Sequence, residues 1–127
     1  NDLLTFDPPP PLSYAFASDT MYTPDTAEYV KGVDLLYHES TFCEDKNARA
    51  KQTMHSTAAQ AATVAVEAGA KHLIIGHYSA RYTDKRQFEE EAKVIFPEVF
   101  AARELYQYNL QQSGIKVKSV APEKNEE

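Results

Sequence analysis

The sequence predicts one α/β domain with a largely parallel sheet, and three observations support this. Short apolar runs of strand length alternate with segments that carry helix start and stop signals, an order typical of parallel sheets covered by helices. The chain has 127 residues, 43% of them hydrophobic, which is enough for one core without covalent staples. Cys43 is the single cysteine, so an internal disulfide framework is excluded and a reducing compartment is expected.

The first strand and helix follow a proline run. Residues 8–11 are all proline, a donorless stretch that fits an extended connection. Residues 12–19 then form a short, aromatic-rich β-type run. Thr23 and Pro24 are a typical N-cap and first helical residue, and Gly32 is a natural end, so we predict a helix of about two turns between them.

The most clearly marked helix lies in the middle of the chain. Residues 33–38 are a nearly continuous apolar run, as expected for a strand covered on both faces. Residues 39–54 are polar and are predicted to be a loop with some helix. Thr57 and Gln60 have capping-box spacing, and an alanine-rich run follows until Gly69. The small side chains of this run predict close packing against a sheet.

The remaining elements complete the alternation. Residues 72–77 repeat the pattern of a short buried strand, and residues 84–96 place apolar side chains on one stripe of a helix before Pro97. Apolar and polar residues alternate over residues 105–110, as in a half-exposed strand. Residues 116–120 are a candidate for a further strand. The final residues, PEKNEE, are typical of a solvated tail.

Charge and hydropathy exclude some classes of function. The net charge of -6 argues against a general nucleic-acid coat, which needs a basic face, but it permits a local phosphate site. The sequence has neither an apolar run of about 18 residues nor a signal-peptide pattern. We therefore expect no membrane partner and a cytoplasmic location.

Potential ligands and acid-base groups follow three of the predicted strands. Asp19, Glu39 and His77 each come at or just after a strand end, and the carboxyl ends of parallel strands are where sites gather in such sheets. His55 lies just before the alanine-rich helix. Imidazole and carboxylate groups together suit zinc or manganese, with positions left for water.

Each of these residues also has a simpler interpretation. Asp19 fits a turn or helix cap, and on spacing alone the cap is preferred. His77 is as well explained by a core histidine as by a ligand. His55 fits an ordinary loop residue, and Glu39 fits a solvated charge.

Ser79 and Arg81 form a second candidate group. A hydroxyl and a guanidinium two residues apart beside a strand end can bind a phosphate, although Arg81 also fits an ordinary surface arginine. Further cations flank the candidate site and predict either a locally positive edge or a solvated face. They are Lys46, Arg49, Lys51, Lys85 and Arg86.

Four motifs together resemble the carboxyl-terminal half of ribonuclease Z, the transfer-RNA 3′ processing endonuclease of the metallo-β-lactamase superfamily. They are SDT at 18–20, LLYHESTF at 35–42, MHSTAAQAA at 54–62 and LIIGHYSARY at 73–82. The resemblance extends over residues 12–110. It implies half of an αββα sandwich, a mixed sheet with flanking helices. Residues 1–11 would be a linker from a missing amino-terminal half, and residues 111–127 an extra strand and acidic tail.

The resemblance also implies a role for each candidate residue. Asp19 corresponds to a carboxylate that bridges two zinc ions, and His77 to a ligand of one of them. His55 corresponds to the histidine that protonates the leaving 3′ oxygen, and Glu39 to the carboxylate that orients and charges it. The residues that match the stretch facing the substrate phosphate are Ser79 and Arg81.

The implied activity is zinc-dependent cleavage of the 3′ trailer of precursor transfer RNA by a homodimer. Ser40 departs from the family, which usually has alanine there. A larger departure is that this chain lacks the family's amino-terminal His-x-His-x-Asp-His cluster. Asp19 and His77 are too few ligands for two zinc ions, so we expect the chain to supply part of a site and to be inactive alone. The alternatives are another metallo-β-lactamase-fold hydrolase and a non-catalytic half-domain for binding or assembly.

Overall fold

The computed structural model describes residues 7–122. Four strands, β1 (Tyr14–Ala17), β2 (Leu35–Glu39), β3 (His72–Gly76) and β4 (Val99–Ala101), form a sheet in chain order, and each neighbouring pair is parallel. Strands β5 (Tyr106–Gln111) and β6 (Gly114–Ser119) form an antiparallel hairpin. The α/β class is confirmed, and parallel and antiparallel pairing occur in two separate sheets.

Two of the four helices in the described residues, the first and the third, begin where the sequence signals place them. The four are α1 (Pro24–Tyr29), α2 (Asn47–Gln52), α3 (Ala58–Ala68) and α4 (Arg86–Ile95). Thr23 caps α1, and Thr57 and Gln60 form the expected capping box of α3, which ends at Gly69 with a φ of 66°. Among residues 7–122, no helix is long and apolar enough to span a bilayer.

Strand β4 was not predicted from the sequence. It has three residues and follows Pro97 and Glu98, so it is too short for a period-2 pattern to be recognised. Its place depends on pairing with β3, including a hydrogen bond from the Leu73 N–H to the Glu98 carbonyl. Such a long-range contact leaves no local signal.

One face of the sheet and the helices enclose the core. Leu36, Leu73 and Ile75 alternate with outward-facing neighbours and are fully buried, together with Val64 of α3 and Phe88 of α4. The alanines of α3 allow its backbone to approach the sheet closely, as predicted. Those that are buried are Ala58, Ala61, Ala62, Ala65 and Ala68.

The opposite face of the sheet is aromatic and partly open. Register places Phe16 beside Tyr37 and Ile74 beside Phe100 on this face. The rings of Phe16 and Tyr37 stack at 4.6 Å between centroids, yet the exposed fractions are 57% for Tyr14 and 61% for Phe16. The sheet thus has helices on one face, while its opposite face is exposed at the β1 edge and buried at Leu35 and Ile74.

Candidate functional site

Three adjacent strand ends bring the candidate residues together. Glu39 is the last residue of β2, while Asp19 and His77 follow β1 and β3, the two neighbours of β2. Asp19 and His77 have positive φ angles of 47° and 63°, which non-glycine residues seldom adopt and which cluster at functional sites. His55 reaches the same edge from the connection between α2 and α3. The predicted convergence is therefore present.

Glu39 is the buried centre of this group. Its Oε1 lies 2.7 Å from His55 Nδ1 and accepts a hydrogen bond from the Ser56 N–H at 3.2 Å. Its Oε2 accepts from the N–H and the hydroxyl of Thr41, at 3.0 and 2.8 Å. The residue is fully buried, so its carboxylate is satisfied by donors from three residues rather than by water.

The contact with Glu39 fixes the protonation of His55. Because a carboxylate accepts, Nδ1 of His55 carries a proton and donates it to Glu39. Nε2 is then the ring atom available to a ligand, and the side chain is 24% exposed. His55 also lies two residues before Thr57, the N-cap of α3.

The hydroxyl of Thr41 connects Glu39 to His77 through hydrogen bonds, a role that was not predicted from the sequence. Its single hydroxyl proton goes to Glu39, so its oxygen accepts from Nδ1 of His77, 2.9 Å away. In the neutral ring, Nε2 of His77 is then the atom with a lone pair that can bind a metal, and Thr41 orients the ring as outer-shell partners of metal-bound histidines do. The available signal was its place in the HEST segment, two residues after Glu39.

Asp19, His55 and His77 have the chemistry of a metal site. Each offers one ligand atom, and these atoms all lie within 4.8 Å of one another. Asp19 Oδ1 is 3.7 Å from His77 Nε2, within the roughly 4 Å that two ligands of one zinc ion can span at bonds of about 2.0–2.1 Å. This donor set fits one ion and is too small for two.

The structure also tests the simpler interpretation of each candidate residue. Thr23 rather than Asp19 caps α1, and half of the His77 side chain is exposed, unlike a core histidine. Glu39 is buried rather than solvated. His55 lies in a loop, but it is paired with a buried carboxylate. The placement of these residues is therefore established, while their roles remain predictions.

Ser79 and Arg81 lie at the rim of the same group. The Ser79 N–H donates to the Thr41 carbonyl at 2.9 Å, which holds this turn beside the end of β2. The Ser79 hydroxyl accepts from the Arg81 N–H at 3.3 Å, and Arg81 is exposed.

Two of the flanking cations are already engaged within the protein. Lys85 Nζ donates to the carbonyls of Ser79 and Tyr82, and Arg86 pairs with Asp84 at 3.0 Å. The predicted positive edge consequently depends more on the exposed residues of the α2 region, Lys46, Arg49 and Lys51.

His38 and Cys43 are both buried. His38 is fully buried, its Nδ1 lies 2.8 Å from the Glu39 carbonyl, and burial lowers its pKa. Burial raises the pKa of the Cys43 thiol to about 12, so the thiolate needed for nucleophilic attack is strongly disfavoured.

Similar proteins fit this arrangement. The chain is 51% identical over 104 residues to a protein named ribonuclease Z from Bacteroides fragilis strain YCH46. The chain is homologous to part of ribonuclease Z. The ribonuclease Z of Porphyromonas gingivalis is 50% identical over 110 residues, which is 87% of this chain and 36% of that protein. The chain spans about a third of the length of these ribonuclease Z relatives. No protein-family model matches it.

A solved structure supports the fold class. The metallo-β-lactamase fold protein YhfI from Bacillus subtilis aligns with a TM-score of 0.64 at 27% identity. The alignment covers 69% of this chain and 36% of YhfI. The metallo-β-lactamase type of α/β fold implied by the ribonuclease Z motifs is therefore confirmed.

Proposed function

We propose that this chain supplies part of the active site of a zinc-dependent endoribonuclease that removes the 3′ trailer of precursor transfer RNA. The pairing of His55 with the buried carboxylate of Glu39 carries this proposal. The pair adjoins Asp19 and His77 at the carboxyl edge of the sheet. The chain is 51% identical over 104 residues to a ribonuclease Z.

His55 acts as the general acid in this proposal. His55 Nδ1 donates to Glu39 Oε1, and the two atoms are 2.7 Å apart. This hydrogen bond orients the ring so that Nε2 can deliver a second proton to the leaving 3′ oxygen. The charge of Glu39 compensates for the cation that His55 becomes when it carries both protons. Burial of Glu39 strengthens this interaction because water does not screen it.

Asp19 and His77 are the proposed metal ligands of this chain. When bound, zinc ions would activate water and neutralise charge on the phosphate. Thr41 keeps Nε2 of His77 free by accepting from Nδ1. Because Asp19 and His77 are too few ligands for two ions, we place the remaining ligands in an amino-terminal half outside this chain, and we expect little activity from the chain alone.

Ser79 and Arg81 are proposed to bind the substrate phosphate. The hydroxyl proton of Ser79 remains available because its oxygen only accepts within the turn, and Arg81 adds an exposed guanidinium suited to a phosphate. Precursor transfer RNA, the amino-terminal half and a second copy of the protein are the proposed partners.

A chimera tests the acid role. This chain would replace the segment it matches in the Bacteroides fragilis ribonuclease Z, giving what we call the ribonuclease Z chimera. We expect His55→Ala to lower cleavage of precursor transfer RNA by about 10²–10⁴-fold with zinc content unchanged. The control is His72→Ala, at the opposite edge of the sheet. Loss of zinc in His55→Ala would make His55 a ligand and refute the acid role.

A hydrolase with a different ester substrate is the second candidate. The structural likeness to YhfI, described only as a metallo-β-lactamase fold protein, favours it. Turnover of precursor transfer RNA and of bis(4-nitrophenyl) phosphate by the ribonuclease Z chimera separates the two. Preference for the small diester would support this candidate, and unimpaired function of His55→Ala would instead support a non-catalytic module.

A further inference from the structure

A small cleft opens directly beside His55. Its volume is about 170 Å³, and it is lined by Met21, Tyr22, Asn47, Lys51, His55 and Gln60. Pockets that enclose whole drug-sized ligands have volumes of about 300–1,000 Å³. The cleft is therefore suited to one ring system of a larger ligand whose remainder lies outside it.

Hydrogen bonds within the protein leave a defined set of polar groups for a ligand. Gln60 Oε1 accepts from the Thr57 N–H in the capping box, which leaves the amide N–H groups of Gln60. Asn47 Nδ2 donates to Glu44, which leaves Asn47 Oδ1 as an acceptor. With the Lys51 ammonium, the cleft offers donors and an acceptor close together, a combination that matches the edge of a nucleobase.

The cleft also has an apolar wall. Met21 and Tyr22 supply apolar surface, and the Tyr22 hydroxyl donates to Glu67 at 2.7 Å, which holds the ring in place. Bases stack on such side chains with little regard to sequence. Lys51 is the one cation among the six lining residues and none of them is a carboxylate, while Glu44 and Glu67 accept hydrogen bonds from Asn47 and Tyr22 at the border of the cleft. A larger cavity of about 460 Å³ lies beside Tyr78, but His55 is not among its lining residues.

We infer that this cleft receives the nucleobase on the 5′ side of the cleaved bond, so that Met21, Asn47, Lys51 and Gln60 contribute to the choice of RNA. This inference rests on the proposed function. If His55 protonates the leaving 3′ oxygen, the nucleoside that carries that oxygen must lie next to His55. The cleft is lined by His55 itself and is large enough for a base.

Cleavage kinetics of the ribonuclease Z chimera test the inference. Four precursor RNAs would differ only in the nucleotide 5′ of the cleaved bond. We expect Met21→Ala and Lys51→Met each to lower kcat/KM for RNA about tenfold, the size typical of one lost base contact, and to reduce the differences among the four RNAs. Turnover of bis(4-nitrophenyl) phosphate, which has no base, should not change in Met21→Ala. Lys31→Met, in the exposed turn after α1, is the control.

Equal losses on RNA and on the small diester, or no loss on RNA, would overturn the inference. Photo-crosslinking gives a second measurement that does not require cleavage. With 4-thiouridine placed 5′ of the cleaved bond, we expect the adduct within residues 21–22 or 47–60. An adduct elsewhere on a chimera that cleaves RNA overturns this inference alone, whereas an adduct in the cleft without cleavage overturns the proposed function alone.

Discussion

Thr41 shows how one buried hydroxyl links two neighbouring functional groups through hydrogen bonds. It donates to Glu39 and accepts from His77, so the acid-base pair and the candidate metal ligand share one hydrogen-bonded chain. The sequence placed Asp19, Glu39 and His77 correctly because strand ends are recognisable from apolar runs. It could not reveal Thr41, since the connection to His77 spans 36 residues of sequence.

Replacing Thr41 tests this chain of hydrogen bonds. Thr41→Val in the ribonuclease Z chimera removes the acceptor that orients His77, and we expect zinc affinity to fall about 10–100-fold, measured by competition with a chelator. Thr63→Val is the control, because the Thr63 hydroxyl bonds only the Ala59 carbonyl of its own helix. Equal zinc affinities in the two variants would show that Thr41 does not orient the ligand.

Glu39 should also contribute to stability. In Glu39→Gln an amide N–H₂ replaces one oxygen and meets groups that already donate, so we expect a free energy of unfolding about 1–3 kcal/mol lower, measured by urea denaturation of the chain. Glu98→Gln is the control, because Glu98 is 67% exposed. An unchanged unfolding midpoint in Glu39→Gln would argue against a tightly bonded buried carboxylate.

At the scale of elements, local sequence signals were sufficient to predict a helix where capping residues define its ends. Thr23 and Thr57 caps and the terminal Gly69 predicted α1 and α3 because these residues bond the helix ends directly. Strand β4 has no such local sequence signal, and it forms through its pairing with β3. The end of β4 forms part of the large cavity beside Tyr78, so that surface was also inaccessible to sequence reasoning.

Gly76 is required where β3 meets Tyr37. A Cβ at position 76 would lie 2.5 Å from the Tyr37 hydroxyl and 3.0 Å from its ring. We therefore expect Gly76→Ala to destabilise the chain by about 1–3 kcal/mol, measured by urea denaturation. Adding Tyr37→Phe removes the nearest atom and should recover part of this loss. Strictly additive effects of the two substitutions would contradict a direct contact between them.

At the scale of the molecule, composition alone could not reveal how the 43% hydrophobic content is distributed. The structure places one part in the core and another part on the open face that includes Tyr14 and Phe16. We propose that the amino-terminal half proposed above packs on this face. Large exposed apolar patches of this kind mark interaction surfaces.

The open face should make the isolated chain self-associate. We expect Phe16→Lys to lower the average molar mass measured by light scattering, because a charge on the face opposes apolar contact between copies. Val94→Lys is the matched control, since Val94 is 86% exposed but belongs to α4. A molar mass equal to that of a monomer for the unmodified chain would refute this expectation.

Anomalous diffraction at the zinc edge from crystals of the ribonuclease Z chimera tests the central claim most directly. We expect an ion about 2.0–2.2 Å from His77 Nε2 and from an Asp19 oxygen, with His55 bound to Glu39 and not to metal. Zinc coordinated by His55, or zinc bound away from both Asp19 and His77, would contradict it.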